Sequence, residues 1–401
     1  MSERWDIFCR VVDNYGDVGV SWRLARSLAR EHGKRVRLWL DDLTVIAKLK
    51  PGTDTAHDVH HAEGVEVVRL RALPFAPRGV ADVVVETFGC GPPAAYVELM
   101  AEQEQKPRWI NLEYLSAEDW VEGSHALASP HPRLPLTKFY FFPGFTAGTG
   151  GLLREQGLLA RRDEFQSDAG AQAAFWRSLT GKAPPEEALK VSLFTYADAP
   201  VESLARACQQ YPGPVWLVAP DGAAASSLRD QLMPGHDSAQ RNVHHGGRRR
   251  EVEIFRVPFL PQDQYDLLLW ASDVNFVRGE DSFVRAQWAA RPFVWHVYPT
   301  ADHAHWVKLA AFLHRYEQGL DCAQAAAVDG LWNAWNQRAS SPSPNGAKPG
   351  LPDAWAGFVA NRAALRGRAR AWSDRLAARP DLAAALVDFA DKSLAQAPVT
   401  S

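Results

Sequence analysis

The sequence predicts an α/β protein with two doubly wound domains. Strand and helix patterns alternate through the first half of the chain, and a second alternating run fills the second half. Such alternation is typical of parallel sheets that are covered by helices. The chain has 401 residues, a length that suits two separate cores better than one. We therefore expect two doubly wound sheets that face each other.

In the first run, short apolar segments predict strands and amphipathic spacing predicts helices. The segment 80–87 is rich in Val throughout, which is typical of a strand buried on both faces. The predicted strands are 5–12, 36–40, 65–70, 80–87, 108–112 and 139–142, and the predicted helices are 20–30 and 92–104. The polar stretch 167–185 predicts an interdomain linker near its end, so the first domain is placed at 1–185.

The second run repeats the pattern. Its predicted strands are 189–195, 215–219, 254–257, 274–277 and 293–297, and its predicted helices are 201–211, 223–232, 262–271 and 303–318. A Ser/Pro/Gly-rich loop at 340–352 precedes an Ala/Arg-rich helical region at 354–393. We place the second domain at 186–361 and expect the helices at about 362–401 to pack back on the first domain.

Composition excludes several classes of partner. The formal net charge of -3 gives no reason to expect binding to nucleic acid or to a membrane surface. No apolar stretch approaches the roughly 18 residues of a membrane span, and the N-terminus runs straight into a strand without a secretory signal. Scattered cysteines favour reduced thiols and a cytoplasmic location. They are Cys9, Cys90, Cys208 and Cys322.

The most informative motif runs from Arg278 to Ser282, between a predicted strand and a predicted helix. A cation, a flexible Gly279 and unpaired backbone N–H groups at a helix start form an anion site, above all for phosphate. Arg278, Ser282 and the backbone would hold phosphate oxygens, while Glu280 accepts from a ribose or sugar hydroxyl. The alternative is a capped helix with Glu280 and Asp281 placed favourably against its dipole. The site predicts a nucleotide-sugar enzyme.

A second candidate site follows the first strand. Asp13 and Asp17 lie four residues apart in a Gly-containing loop, at the sheet edge where ligands of α/β proteins bind. One carboxylate could act as a general base while the other orients it or the acceptor. The alternative is that both are helix caps or turn formers. Asn14, Tyr15 and Gly16 lie between them and are counted as substrate-binding candidates.

Two further segments could contact a nucleotide. Tyr196, at the end of a predicted strand, could donate to a phosphate, although a core aromatic residue is the simpler interpretation. Phe259 and Gln262 could stack on and hydrogen-bond a pyrimidine base, a role compatible with a helix start at Pro261. No metal site is predicted, because the chain has no Asp-x-Asp pair and its His clusters are explained by a solvated loop and a helix start.

Three sequence runs carry a resemblance to a known family. They are Asp13-Asn-Tyr-Gly-Asp-Val-Gly-Val-Ser-Trp-Arg, Arg278-Gly-Glu-Asp-Ser-Phe-Val-Arg-Ala-Gln-Trp and Pro292-Phe-Val-Trp-His-Val-Tyr-Pro. Together they resemble the bacterial EarP family of protein-arginine rhamnosyltransferases, over about residues 5–390. The resemblance implies a GT-B glycosyltransferase fold with an interdomain cleft, an inverting mechanism and dTDP-β-L-rhamnose as the donor. It also implies translation elongation factor P as the protein acceptor, and neither metal nor cofactor.

The resemblance also assigns roles to residues. It places the essential aspartates at Asp13 and Asp17, with Asp17 preferred as the base, and Glu280 is counted with the catalytic residues. The implied nucleotide site comprises Phe194, Tyr196, Phe259, Gln262, Arg278, Glu280, Asp281 and Ser282. Two alternatives stay open: another nucleotide-sugar enzyme, such as an epimerase or a small-molecule glycosyltransferase, and a nucleotide-binding module without activity.

Overall fold

The computed structural model describes residues 3–11, 15–70, 79–222, 225–226, 228, 238–245, 248–337 and 350–395. The chain divides into two compact units. The first comprises Met1–Gln156 together with Leu376–Ser401, and the second comprises Gly157–Arg375.

The first unit contains an eight-stranded sheet. Its strands are β1 (Arg4–Cys9), β2 (Arg35–Leu40), β3 (Val59–Ala62), β4 (Val65–Arg69), β5 (Val83–Thr87), β6 (Arg108–Leu112), β7 (Ala128–Pro130) and β8 (Thr137–Phe141). They lie in the order β3-β4-β2-β1-β5-β6-β8-β7. The edge strands β3 and β7 are antiparallel to their neighbours, and the strands between them pair in parallel. Counted along the chain, these parallel strands follow the 3-2-1-4-5-6 order of dinucleotide-binding folds.

The second unit repeats this plan with a six-stranded sheet. Its strands are β9 (Leu189–Leu193), β10 (Val215–Pro220), β11 (Ser238–His245), β12 (Arg248–Val257), β13 (Val274–Arg278) and β14 (Phe293–His296). The order is β11-β12-β10-β9-β13-β14. Among these strands the β11–β12 pair is antiparallel, and the other neighbouring pairs are parallel. The prediction of two doubly wound sheets is confirmed.

Helices connect the strands of both units. In the first unit they are α1 (Gly16–Arg30), α2 (Leu43–Leu49), α3 (Ala94–Glu102) and α4 (Trp120–Ser124). Those that follow are α5 (Leu158–Ser167), α6 (Ala169–Thr180), α7 (Val201–Gln210), α8 (Gln262–Ala271), α9 (Asp281–Trp288), α10 (Ala304–Glu317), α11 (Cys322–Trp335), α12 (Leu351–Ala360), α13 (Arg362–Ala377) and α14 (Leu382–Ala395). The predicted helix 223–232 and the loop 340–352 lie largely outside the described residues.

The C-terminal helix α14 belongs to the first unit. The backbone N–H of Leu382 donates to the carbonyl of Leu152 over 3.1 Å. Phe389 packs its ring against Phe139 and Phe141 of β8, with centroid separations of 5.5 Å in both cases. The chain therefore returns at its end to cover the sheet with which it began.

The polar stretch 167–185, near whose end a linker was expected, contains a helix that was not predicted, α6 (Ala169–Thr180). Asp168 caps α6 by accepting from the backbone N–H of Ala171 at 2.9 Å, and Gly181 ends it in the left-handed conformation. Phe175 and Trp176 are buried, while Arg177 and Ser178 are exposed. The helix forms because the segment is rich in Ala, a good helix former, and buries Phe175 and Trp176.

The first helix begins earlier than its predicted start at residue 20. Strand β1 ends at Cys9, and α1 begins at Gly16, where the N–H of Gly19 donates to the carbonyl of Tyr15 at 2.9 Å. Asp17 thus lies in the first helical turn and not in a loop. An acidic residue at this position is stabilised by the helix dipole, and the buried side chain of Val18 anchors the turn to the core.

A polar network is buried beneath the first sheet. The Asp6 carboxylate accepts two hydrogen bonds from Arg37, at 2.6 and 2.5 Å, and one from the hydroxyl of Tyr96 at 2.5 Å. Desolvation raises the pKa of the Asp6 carboxyl, against the opposing effect of Arg37. A buried carboxylate is tolerated here because charged and neutral donors satisfy it together.

Within the described residues, no helix combines the length and the apolar character needed to cross a bilayer. All four cysteines are free thiols, and Cys9 and Cys208 are buried.

Candidate active site

Each sheet has a point where the strand order reverses. In the first unit it lies between β1 and β5, and in the second between β9 and β13. Ligands of doubly wound folds bind outside the carboxyl ends of the strands at this point, because the connections diverge there and leave a crevice. The segments that follow these four strands contain most of the predicted site residues.

In the first unit, the predicted residue Asp17 lies in the first turn of α1. Its side chain is only 2% exposed. The Tyr114 hydroxyl donates to Asp17 Oδ1 at 3.3 Å, and the Ser21 hydroxyl donates to the Asp17 carbonyl at 2.8 Å. The carboxylate is therefore held in the first turn of α1.

The other predicted residues of this segment precede Asp17 in the chain. Gly16 opens α1. The half-buried Tyr15 precedes it, with its hydroxyl 3.2 Å from Lys48 Nζ and the ammonium 5.5 Å from its ring centroid. Asp13 and Asn14 lie outside the described residues, so their roles stay predictions.

The thiol of Cys9 lies at the end of β1 and interacts electrostatically with Asp17. Burial raises the pKa of Cys9 to about 12, and the negative charge of Asp17 adds to the effect. The thiol therefore stays neutral near pH 7 and does not compete with the carboxylate for a proton.

Sequence reasoning missed two aromatic residues at this switch point. Phe88 directly follows β5 and has a left-handed backbone with φ of 58°. Its ring stacks on that of Tyr114, with centroids 4.2 Å apart and planes within 9° of parallel. A bulky residue directly after a predicted buried strand was the available signal for Phe88, whereas nothing local distinguishes Tyr114.

In the second unit, Arg278 is held between two aromatic rings. Its guanidinium carbon lies 4.7 Å from the ring centroid of Phe194 and 4.6 Å from that of Tyr196. Both rings follow β9, whereas Arg278 ends the neighbouring strand β13. Cation–π attraction orients the planar cation without neutralising it, so it can still bind an anion.

The turn after Arg278 is closed by side chains. Gly279 has φ of 59°, and Glu280 occupies the N-cap position of α9. The Ser282 hydroxyl accepts from the N–H of Arg278 at 3.1 Å and also bonds its carbonyl. Trp295 Nε1 donates to the Gly279 carbonyl at 3.0 Å. This turn presents a helix N-terminus beside a cation, an arrangement that can bind an anion.

The predicted base-reading residues lie at the start of the adjoining helix α8 and just before it. Gln262 Nε2 donates to Asp281 Oδ2 at 3.1 Å, which links the starts of α8 and α9. Phe259, half-buried just before α8, packs edge-on against Phe194 with centroids 6.2 Å apart. Of the predicted nucleotide residues, all eight are thus gathered around the ends of β9 and β13.

Sequence reasoning also missed a histidine behind this cluster. His296 is buried at the end of β14, and its Nδ1 accepts from the N–H of Tyr196 at 3.3 Å. Nε2 of the same ring lies 3.5 Å from Asp198 Oδ1. A hydrogen bond from His296 lowers the pKa of the Asp198 carboxyl. His296 lies within the Pro292 motif, so the signal was in the sequence without an assigned role.

An ion pair beneath the turn locks α8 to α9. Arg285 donates to both oxygens of Asp266, at 2.9 and 2.6 Å, and their side chains are 2% and 6% exposed. We expect Arg285→Met to cost about 3–5 kcal/mol of unfolding free energy, because Asp266 is left buried and uncompensated. Urea denaturation measures this loss.

The double variant Arg285→Met/Asp266→Leu should recover most of the loss, since a matched apolar pair replaces both charges. The exposed pair Arg206–Glu202, on α7, is the control. Arg206→Met should cost about 0.5 kcal/mol or less. An equal cost for Arg285→Met and Arg206→Met would contradict the locking role.

Among the described residues, no group of three or more His, Cys, Asp or Glu side chains is arranged to hold a metal ion. The arrangement instead offers two kinds of chemistry. A buried carboxylate at a helix N-terminus can take a proton from a bound cationic group. An aromatic-clamped guanidinium beside a helix N-terminus can bind a phosphate and stabilise negative charge on it.

Comparison with known proteins gives concordant results. The sequence profile of the family described as "Elongation-Factor P (EF-P) rhamnosyltransferase EarP" matches residues 5–391. A protein-arginine rhamnosyltransferase of Pseudomonas putida is 47% identical, over 98% of this chain and 100% of that protein.

Solved structures show the same likeness. The structure described as "Structural basis for EarP-mediated arginine glycosylation of translation elongation factor EF-P" has 36% identity and a TM-score of 0.66. The match covers 98% of this chain and 100% of that one. The spinosyn rhamnosyltransferase SpnG, at 12% identity and a TM-score of 0.50 over 96% of this chain and 99% of that one, shares the fold.

Proposed function

This chain belongs to the EarP family of protein-arginine rhamnosyltransferases, and we propose that it transfers L-rhamnose from dTDP-β-L-rhamnose to an arginine of translation elongation factor P. It is an enzyme of the glycosyltransferase class with the GT-B fold. The proposal includes inversion at the anomeric carbon, Asp17 as the general base and no metal ion. It is carried by one observation: each unit places a functional group of the right charge at its switch point, carboxylate in the first and cation in the second.

The donor binds to the second unit in this proposal. The diphosphate lies against the N-terminus of α9, where Arg278 and backbone N–H groups neutralise it. Thymine stacks on Phe259 and bonds Gln262, while Glu280 accepts from a hydroxyl of the ribose or the rhamnose. Tyr196 donates to a phosphate oxygen. The support is the convergence of these residues on the ends of β9 and β13.

The acceptor guanidinium binds at Asp17. A guanidinium has a pKa of about 12 or more and no available lone pair, so it is a poor nucleophile until a proton leaves. The ionised Asp17 aligns one nitrogen and takes its proton. Asp13 is proposed to orient the guanidinium or Asp17.

The reaction is then a single displacement. The nitrogen forms its bond to the anomeric carbon as the bond from that carbon to the diphosphate oxygen breaks, and the proton passes to Asp17. Negative charge gathers on the departing dTDP. Arg278 and the α9 N-terminus stabilise that charge, which is the task that a divalent ion performs in many nucleotide-sugar enzymes. Attack from the opposite face inverts the configuration of the sugar.

Intact mass spectrometry tests the proposal. Purified elongation factor P, incubated with this protein and dTDP-rhamnose, should gain the mass of one deoxyhexose, and peptide mapping should place it on an arginine. The gain should persist in EDTA, which would remove a required divalent ion. Release of free rhamnose without a gain in protein mass would favour a small-molecule glycosyltransferase, and conversion of the donor to an isomer would favour an epimerase.

A further inference from the structure

We infer that Tyr114, held in place by Phe88, is a positioning residue for the Asp17 carboxylate. The inference rests on the proposed function, because it assigns Asp17 the role of the base. It concerns the first unit alone. Tyr114 follows β6 and Phe88 follows β5, and neither residue was predicted to belong to the site.

The backbone of Phe88 is the first observation. Its φ of 58° is unusual for a bulky residue and costs conformational free energy. Two hydrogen bonds fix this turn: Phe88 N–H donates to the Leu112 carbonyl at 2.7 Å, and Gly89 N–H donates to Asn111 Oδ1 at 3.0 Å. A strained residue at the switch point of a doubly wound sheet indicates that its side chain is needed in that place.

The stack on Tyr114 is the second observation. With centroids 4.2 Å apart and a 9° interplanar angle, Phe88 fixes the plane of the Tyr114 ring. The orientation of that ring decides where the hydroxyl points. It points at Asp17 Oδ1, 3.3 Å away, across 97 residues of sequence. The strained turn, the ring stack and the hydrogen bond therefore connect Phe88 through Tyr114 to Asp17.

The chemistry of this contact fits a positioning role. A phenol has a pKa of about 10, so it remains a donor at neutral pH. A donated hydrogen bond favours the ionised carboxylate over the acid and limits its rotation. The Cys9 thiol also has a charge interaction with Asp17, and it is neutral because burial raises its pKa to about 12.

The test is Tyr114→Phe, which keeps the ring stack and removes only the hydroxyl. We expect kcat/KM for elongation factor P to fall roughly ten-fold or more. Because the hydrogen bond to the carboxylate is lost, the acidic limb of the pH profile of kcat/KM should move to higher pH. Protonated Asp17 cannot accept a proton. The Kd for dTDP should not change. A merely structural tyrosine would not move the acidic limb.

Phe88→Gly adds a second test, since glycine adopts the same φ without strain and lacks the ring. It should shift the acidic limb in the same direction. Tyr114→Phe/Phe88→Gly should then lose less than the sum of the two single effects, because both act on one hydrogen bond.

Tyr96→Phe is the matched control, because Tyr96 donates to a buried aspartate of the same unit, Asp6. It should lower Tm and leave the acidic limb in place. An unchanged limb in Tyr114→Phe, or an equal shift in Tyr96→Phe, would overturn the inference while the proposed function stands. Absence of transfer by the unmodified protein would overturn both.

Discussion

Asp17→Asn should abolish most of the transfer to elongation factor P while leaving donor binding intact. A positioned general base contributes roughly 10²–10⁴-fold to a rate, and asparagine cannot take the proton. The amide oxygen can still accept from the Tyr114 hydroxyl, which occupies Oδ1 in the unmodified protein. The fold of the α1 turn should therefore persist, and single-turnover kinetics with mass detection should show the loss directly.

Asp388→Asn is the control for this variant. Asp388 is an exposed carboxylate on α14 that forms a surface ion pair with Lys392 at 2.7 Å. That variant should transfer rhamnose at the normal rate. If Asp17→Asn retained more than a tenth of the activity, Asp17 could not be the base, and Asp13 would become the candidate.

Arg278→Met should weaken the binding of dTDP. A hydrogen bond to a charged group contributes about 1.5–3 kcal/mol, which corresponds to roughly 10- to 100-fold in Kd. Removing the cation also removes its stabilisation of the leaving group, so kcat should fall as well. Isothermal titration with dTDP measures the first effect and steady-state kinetics measures the second.

Arg278→Lys separates charge from shape. Lysine keeps the charge but lacks the planar group that lies 4.7 and 4.6 Å from the rings of Phe194 and Tyr196. Its affinity should lie between those of the unmodified protein and Arg278→Met. Arg206→Lys, at an exposed position on α7, serves as the control and should bind dTDP normally. Unaltered dTDP binding by Arg278→Met would place the phosphate site elsewhere.

The two sites differ in how their charges are held. Arg278 is clamped by rings and exposed enough to meet a ligand, since its residue is half-buried. Asp17 is buried and reached by a phenol. A buried carboxylate loses hydration and is stabilised by fixed donors, and such an environment strengthens its attraction to an arriving cation. This fits an acceptor as strongly cationic as a guanidinium.

Much of the fold was readable from local pattern. The Val-rich segment at 80–87 became β5, which is buried at every position from Val83 to Thr87. The Arg278 turn was predicted from its residue types, and it joins β13 to α9 as expected. Local pattern missed the helix α6 within 167–185, and it placed the start of α1 at residue 20 instead of Gly16.

The sequence by itself determined the fold class, the strand-to-helix turns and the residue types that can bind an anion or take a proton. These depend on periodicity and residue chemistry, which act over a few neighbouring positions. Only the tertiary structure decided which distant side chains meet. The Phe88–Tyr114 stack, the Tyr114–Asp17 hydrogen bond and the rings around Arg278 each join separate strand ends. Strand order creates those contacts, and no local pattern encodes strand order.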